Sequence, residues 1–557
     1  MVISNFLKRT MASITLGTKR FPETFIFSTL LTALLIINNE IRIRYSLDLE
    51  PLKKLSMVFT AGMFLFLCIR VLQERIGRKN YYLLGYLFLI LYYFLIRDFK
   101  METMFKFISL NLALFLAFLY IPYFKRDCFE VYVEKVVISF FTALFYSGVL
   151  YFGISAILFA IDRLLEIKVR EDIYFYFALV VFLIFGVFYF LSNIPKDVYK
   201  KDFSKTIKVL LLYIIMPLLL SYTVVLYIFF AKILLTLSFP RGLISHLVLW
   251  YCLITIFVLF FITPFYHENK WATFFFKFIP KLIIPIILVM FVSIALRINQ
   301  YGLTERRYYV LILGIWIFLI MIYFSFLKKE NIIVPITLSV FILISNFGPL
   351  SSFNLSKYSQ NKRFEAILIK NGMLKGKIIP NSNISYEDKR TICGIIDYFE
   401  LNHSLKDLKY IPKDFKRSDM KKVFGFDNVE FYPLQYFTFE RNPKDRLIDV
   451  KGYDYLLDMR YSDSTQGIYA RFDFDSSVLR IFKDGKLIYS TNLNKFAQGL
   501  MERYKDKSNE VIYLPKEEMC FLDENQYVRI KIEFNLINIE KDMKGKGFEF
   551  YILIKEK

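Results

Sequence analysis

Tyr301-Gly302-Leu303-Thr304-Glu305-Arg306-Arg307-Tyr308 joins two strongly apolar segments, and Arg297 stands just before it. One short connection thus carries three arginines and a glutamate. Guanidinium groups are planar forks that hold phosphate or carboxylate oxygens in pairs. Charge beside hydrocarbon is costly unless it pairs, snorkels or lines a polar cavity. The loop is therefore a candidate site for an anionic headgroup or phosphate. Arg306 and Arg307 would donate, Glu305 would orient one of them, and Tyr301 and Thr304 share the turn. A structural reading stands beside this one: Gly302 permits a tight turn, Thr304 caps the next helix, and the arginines reach to the interface.

Other charged residues extend the candidate site. Arg241, in Phe239-Pro240-Arg241-Gly242, and Arg297 are expected on the same face as the loop, where clustered positive charge suits an acidic ligand. Asp162, beside Arg163 after a long apolar run, is a candidate partner for Arg241 or Arg297, or a proton or cation ligand. A solvated helix end is the plainer reading of it. Glu40, Asp48 and Glu50 in the first external loop invite comparison with lipid-linked glycosyl or phosphoryl transferases, although the loop is short. His246, His267 and His403 are scattered, and no nucleotide-binding loop, zinc motif or Ser/His/Asp spacing occurs, so no metal or cofactor is expected. Cys393 and Cys520 lie where a disulfide is conceivable, but the five cysteines follow no framework spacing and none is expected.

These residues must be positioned by a membrane fold. Hydrophobic residues make up 56%, mean hydropathy is +0.43 and aromatics reach 19%. Apolar runs of about 20 residues, the length that crosses a bilayer as a helix, recur through the first 350 positions. The spacing predicts eleven spans: 22–38, 55–72, 81–96, 104–123, 136–161, 173–191, 207–237, 245–266, 281–297, 308–327 and 331–349. Pro217 is expected to kink the seventh, and Tyr266–Ile279 reads as interfacial. Small residues Ala143, Ser147, Gly148 and Gly153 suggest close helix packing. After Ser351 the pattern changes: residues 360–402 read as helical, 406–440 as basic and irregular. From about 446 alternation predicts strands over Tyr453–Tyr461, Ile468–Phe474, Val478–Phe482, Lys486–Tyr489, Tyr527–Ile539 and Phe548–Ile554, with one helix over Leu493–Tyr504. The expected fold class is a polytopic all-α membrane bundle (1–350), a helical and irregular connecting segment (351–440), and a small antiparallel β-rich domain (441–557).

Charge separates the halves. The first 350 residues hold 36 Lys and Arg against 19 Asp and Glu; from Ser351 onward the figures are 36 and 31. The basic excess therefore belongs to membrane loops that meet lipid headgroups, and not to a nucleic-acid surface. Loops on the N-terminal side carry the larger share. This places the N-terminus in the cytoplasm and, with an odd number of spans, the C-terminal domain outside.

Several segments together resemble a known family: Arg20-Phe21-Pro22, Ala160-Ile161-Asp162, Phe239-Pro240-Arg241-Gly242, Arg297-Ile298 with Tyr301–Tyr308, and Gly348-Pro349-Leu350-Ser351-Ser352-Phe353 with Ser359-Gln360. The chain resembles the bacterial multispanning proteins grouped as domain-of-unknown-function family four-one-five-three, from about Thr18 to at least Tyr410. It departs at Phe239-Pro240, where Trp-Pro is expected. The resemblance implies a bacterial inner or cytoplasmic membrane protein and implies no activity. The expected function is binding or movement of an anionic lipid or cell-envelope component at an external arginine-rich site, with the bilayer as partner. A membrane sensor or scaffold with an external interaction domain is the alternative, and a lipid-linked transferase the second. Scarce charge within the spans argues against an ion-coupled pump.

Overall fold

The structure, a computed structural model, describes residues 17–557 apart from 48, 78–80, 124–127, 200–202, 237–242, 267, 328–329, 429–435, 446, 460–466, 475, 505–510 and 541–545. Arg241, Asp48 and His267 thus lie outside the described residues. The chain divides into two compact units: Met1–Ile384 with Ile395–Phe426, and Ser385–Gly394 with Asp427–Lys557. The stretch expected as a connecting segment therefore belongs largely to the first unit.

The first unit is a bundle of apolar helices. Nine among the described residues are long and apolar enough to cross a membrane: α1 (Pro22–Tyr45), α2 (Glu50–Ile76), α4 (Met101–Tyr123), α5 (Phe129–Leu164), α6 (Glu171–Ser192), α7 (Lys205–Ile233), α8 (Ser245–Phe265), α9 (Lys270–Tyr301) and α10 (Glu305–Phe326). Two shorter apolar helices, α3 (Tyr81–Leu95) and α11 (Ile333–Asn346), complete a one-for-one correspondence with the eleven expected spans. The residues that face outward are greasy, as with Phe145, Phe152 and Leu83, while hydroxyls turn inward. Buried Thr32, Thr223 and Thr255 each donate to the carbonyl four residues back. A helix in hydrocarbon must satisfy polar groups in this internal way.

Local sequence explains the irregularities. In α7 a π-helical stretch, Leu210–Ile215, immediately precedes Met216-Pro217. Proline clashes with the carbonyl four residues earlier, and a widened turn at Tyr213 relieves that. Ala143 and Ser147 are buried, and Ser147 faces Gly186, where a Cβ would come within 2.7 Å of its hydroxyl. Gly148 and Gly153, expected in the same role, face open space. Within Tyr266–Ile279, expected as interfacial, α9 begins at Lys270, capped by Asn269, and buries Phe275, Phe276 and Ile279. After the spans, α12 (Ser352–Lys370) and α13 (Tyr386–Asn402, of which residues from Ile395 belong to this unit) complete the helices that matter for the site.

The second unit is β-rich. Its strands are β1 (Tyr436–Arg441), β2 (Tyr455–Asp458), β3 (Ile468–Asp473), β4 (Val478–Lys483), β5 (Lys486–Asn492), β6 (Val511–Leu514), β7 (Cys520–Glu524), β8 (Val528–Glu540) and β9 (Lys546–Glu556), with helix α14 (Asn494–Arg503) between β5 and β6. One sheet runs β2-β9-β8-β1-β6 with β7 also on β8; the other is the meander β3-β4-β5. All ladders but one are antiparallel. The exception is β1 with β6, whose Phe439 pairs with Ile512 in parallel; a connection long enough to contain β2–β5 and α14 permits that return. Strands β1, β6 and β7 escape the sequence reading because they are short or follow an irregular basic stretch. Ile530, Ile532, Phe534, Ile552 and Ile554 form the core. Arg441 and Glu533 are nevertheless buried with them, paired at 2.8 Å, and Lys531 lies 2.6 Å from the other Glu533 oxygen. No disulfide joins any of the five cysteines, all of which are among the described residues.

Candidate functional site

The connection from α9 to α10 is held by α12. Gly302 turns the chain with φ +73° and ψ 170°, a conformation open essentially to glycine, and leaves the last carbonyls of α9 without helical partners. Gln360, on α12, caps the last of them and the turn beyond: its side-chain amide donates to Tyr301 O at 3.2 Å and to Leu303 O, past the helix, at 2.9 Å. The Leu303 N–H donates to Ser359 Oγ at 2.9 Å. Arg363, one turn on, donates to Tyr301 O at 3.1 Å, and Arg307 donates to Gly302 O at 2.7 Å while its guanidinium covers the Tyr301 ring. Tyr308 donates to Leu350 O at 2.6 Å, Tyr309 to Asn346 Oδ1 at 2.6 Å, and Ser352 to the Tyr309 hydroxyl at 2.8 Å. The two most distinctive segments of the sequence, Tyr301–Tyr308 and Gly348–Phe353 with Ser359-Gln360, are thus two halves of one clasp.

Within the clasp the charges separate. Thr304 occupies the N-cap of α10 but makes no side-chain cap. Glu305, expected to orient an arginine, turns into the protein: its Oε1 accepts from the Tyr398 hydroxyl at 2.6 Å and lies 2.8 Å from His403 Nε2. Tyr398 and His403 are themselves 2.9 Å apart. Burial, then the Glu305 charge and hydrogen bond, push the Tyr398 phenol well above its ordinary value of 10, so it stays a protonated donor. The arginines are left together. Arg297 and Arg307 are close enough to repel, as are Arg307 and Arg363. No ion pair joins any of these three to a carboxylate among the described residues, and Arg306 is exposed. Burial first, and Arg307 second, hold the Arg363 guanidinium below its usual value.

His403 also lines a cavity of about 950 Å³ with the ends of α3, α4, α11 and α12. Its wall is apolar at Phe88, Leu110 and Leu343 and polar at Arg97, Lys106 and Lys357. Lys106 is paired with Glu102 at 2.6 Å and Lys357 with Asp407 at 3.7 Å.

The remaining candidates fall elsewhere. Asp162 accepts from the Val169 N–H at 3.1 Å and lies 3.8 Å from Arg163, so its contacts are those of a helix end and not of the arginine loop. Glu40 joins α1 to α6, accepting from Tyr176 at 2.8 Å and pairing with Arg170 at 3.0 Å and Arg44 at 3.0 Å. Sequence reasoning missed Arg363, Tyr398 and His403. Arg363 had a signal: it lies four positions after Ser359, on the same helical face. The other two had none.

Among the described residues nine helices long and apolar enough to cross a membrane, two shorter apolar ones and a β-rich unit define a multi-pass membrane protein. The chain belongs to the family described as Domain of unknown function (DUF4153), whose sequence profile matches residues 26–380, a stretch that includes both halves of the clasp. It is 26% identical over 199 residues to Uncharacterized protein PM1469 of Pasteurella multocida (strain Pm70), a match covering 35% of this chain and 32% of that protein. The matched part therefore spans about a third of the relative's length. No solved structure matches the chain.

Proposed function

We propose that the protein binds the anionic headgroup of a lipid or cell-envelope component at Arg297, Arg307 and Arg363, with Arg306 at the rim. One observation carries the reading: Arg307 and Arg363 meet at Tyr301, Arg297 is close enough to Arg307 to repel it, and none of the three has a carboxylate partner among the described residues. Like charges half removed from water repel strongly, and an anion between them converts that repulsion into charge-assisted hydrogen bonds. The neighbouring cavity, apolar at Phe88, Leu110 and Leu343, suits the hydrocarbon of the same ligand. The site lies outside the bacterial inner or cytoplasmic membrane, with the N-terminus in the cytoplasm, as the basic loops favour.

Single replacement of Arg297, Arg306, Arg307 or Arg363 by Gln tests the binding. After exhaustive detergent exchange, phosphate analysis should find less bound anionic lipid for Arg307→Gln and Arg363→Gln, with affinity reduced about tenfold, and less change for Arg306→Gln. Unchanged retention in all four variants sinks the idea. The orientation has its own test. A cysteine at Tyr358, which is 65% exposed on α12, should react with a membrane-impermeant maleimide applied to intact cells in a background lacking native cysteines. Labelling only after lysis would reverse the topology.

A further inference from the structure

Arg20-Phe21-Pro22, one of the distinctive segments, takes no part in the clasp. Arg20 instead borders a second cavity, of about 380 Å³, with Arg70, Glu74 and Arg75 from the end of α2, Tyr132 of α5, and Lys196 and Asp197 after α6. Helix α4 connects the two places. Near its start Phe105 stacks on Tyr309 of the clasp, with ring centres 5.4 Å apart; at its end the Ile121 carbonyl accepts from Arg75 at 2.6 Å. At 1.5 Å rise per residue these contacts are roughly 24 Å apart, most of a bilayer's hydrocarbon depth. The second cavity is therefore independent of the arginines at Tyr301.

Its frame is rigid. Arg20 meets Glu74 with two parallel hydrogen bonds of 2.9 Å and donates to Ile194 O at 2.6 Å. Arg70 stands 3.4 Å from the same carboxylate. Four cations against two acids leave an excess of two positive charges around the space. Tyr132 is 1% exposed, its ring stacked on Tyr123, and its hydroxyl has no hydrogen-bond partner. A buried hydroxyl left unpaired beside surplus positive charge lacks an acceptor that is also an anion. We infer that this cavity binds a phosphoryl group, supplied by a lipid headgroup or by a soluble phosphate. Tyr132 donates to one oxygen, and Arg70 and Lys196 neutralise the others. The charged lining suits a headgroup and not an acyl chain, so a lipid would place only its phosphoryl group here.

The test uses the full chain carrying Arg307→Gln and Arg363→Gln together, delipidated in detergent, so that the clasp contributes little to the response. Thermal unfolding is followed while inorganic phosphate is added at constant ionic strength, and separately while phosphatidylglycerol or phosphatidylcholine is added. Phosphate, or phosphatidylglycerol in preference to phosphatidylcholine, should raise Tm. A response to phosphate identifies a soluble ligand; a response to phosphatidylglycerol alone identifies a lipid. Adding Tyr132→Phe should weaken the apparent affinity about tenfold and adding Lys196→Gln about threefold. Lys196 is exposed, so that variant folds normally. Absence of stabilisation by either ligand, or an equal response in both variants, overturns the inference and leaves the cavity to water.

Discussion

Gly302→Ala is expected to destabilise the membrane unit by about 3–5 kcal/mol and to abolish lipid retention at the arginine cluster. Two costs combine. At φ +73° and ψ 170° an alanine is strained by about 1–3 kcal/mol. Its Cβ would also sit 2.7 Å from Gln360 Nε2, displacing the amide that donates to Tyr301 O and Leu303 O. Thermal unfolding of Gly302→Ala, Gln360→Ala and the double variant separates the two. Gln360→Ala removes the clash but not the strain, so the double variant should be less destabilised than the sum of the singles and still less stable than wild type. A Gly302→Ala protein as stable as wild type would mean that the turn does not organise the clasp.

Glu533→Ala should be as damaging to the β-rich unit, by about 3–5 kcal/mol, because it strands Arg441 in the core and removes the counter-charge of Lys531. Burial alone would raise the Glu533 carboxyl, but the hydrogen bonds from Lys531 and Arg441 outweigh it and hold the group below its ordinary 4.5. Its contribution is thus present above pH 4.5 and lost as the pH falls through the depressed native value. The transition of this unit should drop by roughly 10–20 °C in Glu533→Ala, read by hydrogen exchange at the β8 amides. Replacing both partners, Arg441→Met with Glu533→Leu, should recover most of it. A single variant that exchanges like wild type would contradict a buried pair.

Hydropathy made the eleven spans legible, because each helix must bury or show hydrocarbon along its whole length and the sequence records that directly. Alternation likewise exposed the central strands β8 and β9, with one face in the core. The short β1 did not show, since Tyr436–Arg441 follows an irregular basic stretch and is fixed only by β8 and β6. At the site, Tyr301–Tyr308 was conspicuous from charge density, but the disposition of Glu305 was not. Its partner Tyr398 is 93 positions away, and nothing local distinguishes a glutamate that pairs with a neighbouring arginine from one that turns inward. Trp271 and two lysines suit an interface and were legible as such, but the same stretch also opens the helix that begins at Lys270, whose Phe275 and Phe276 are buried in the protein.

With Glu305 committed to Tyr398 and His403, the loop arginines lack a carboxylate partner among the described residues, which is what the proposed binding of an anion rests on. The central claim is that the ligand is anionic. Native mass spectrometry of the purified protein, offered equal amounts of phosphatidylglycerol and phosphatidylcholine, tests it most directly. Wild type should retain phosphatidylglycerol preferentially, and the Arg307→Gln, Arg363→Gln double variant should lose most of that preference while its β-rich unit unfolds unchanged. A wild-type protein that takes both lipids equally, or a double variant with the preference intact, would contradict the account.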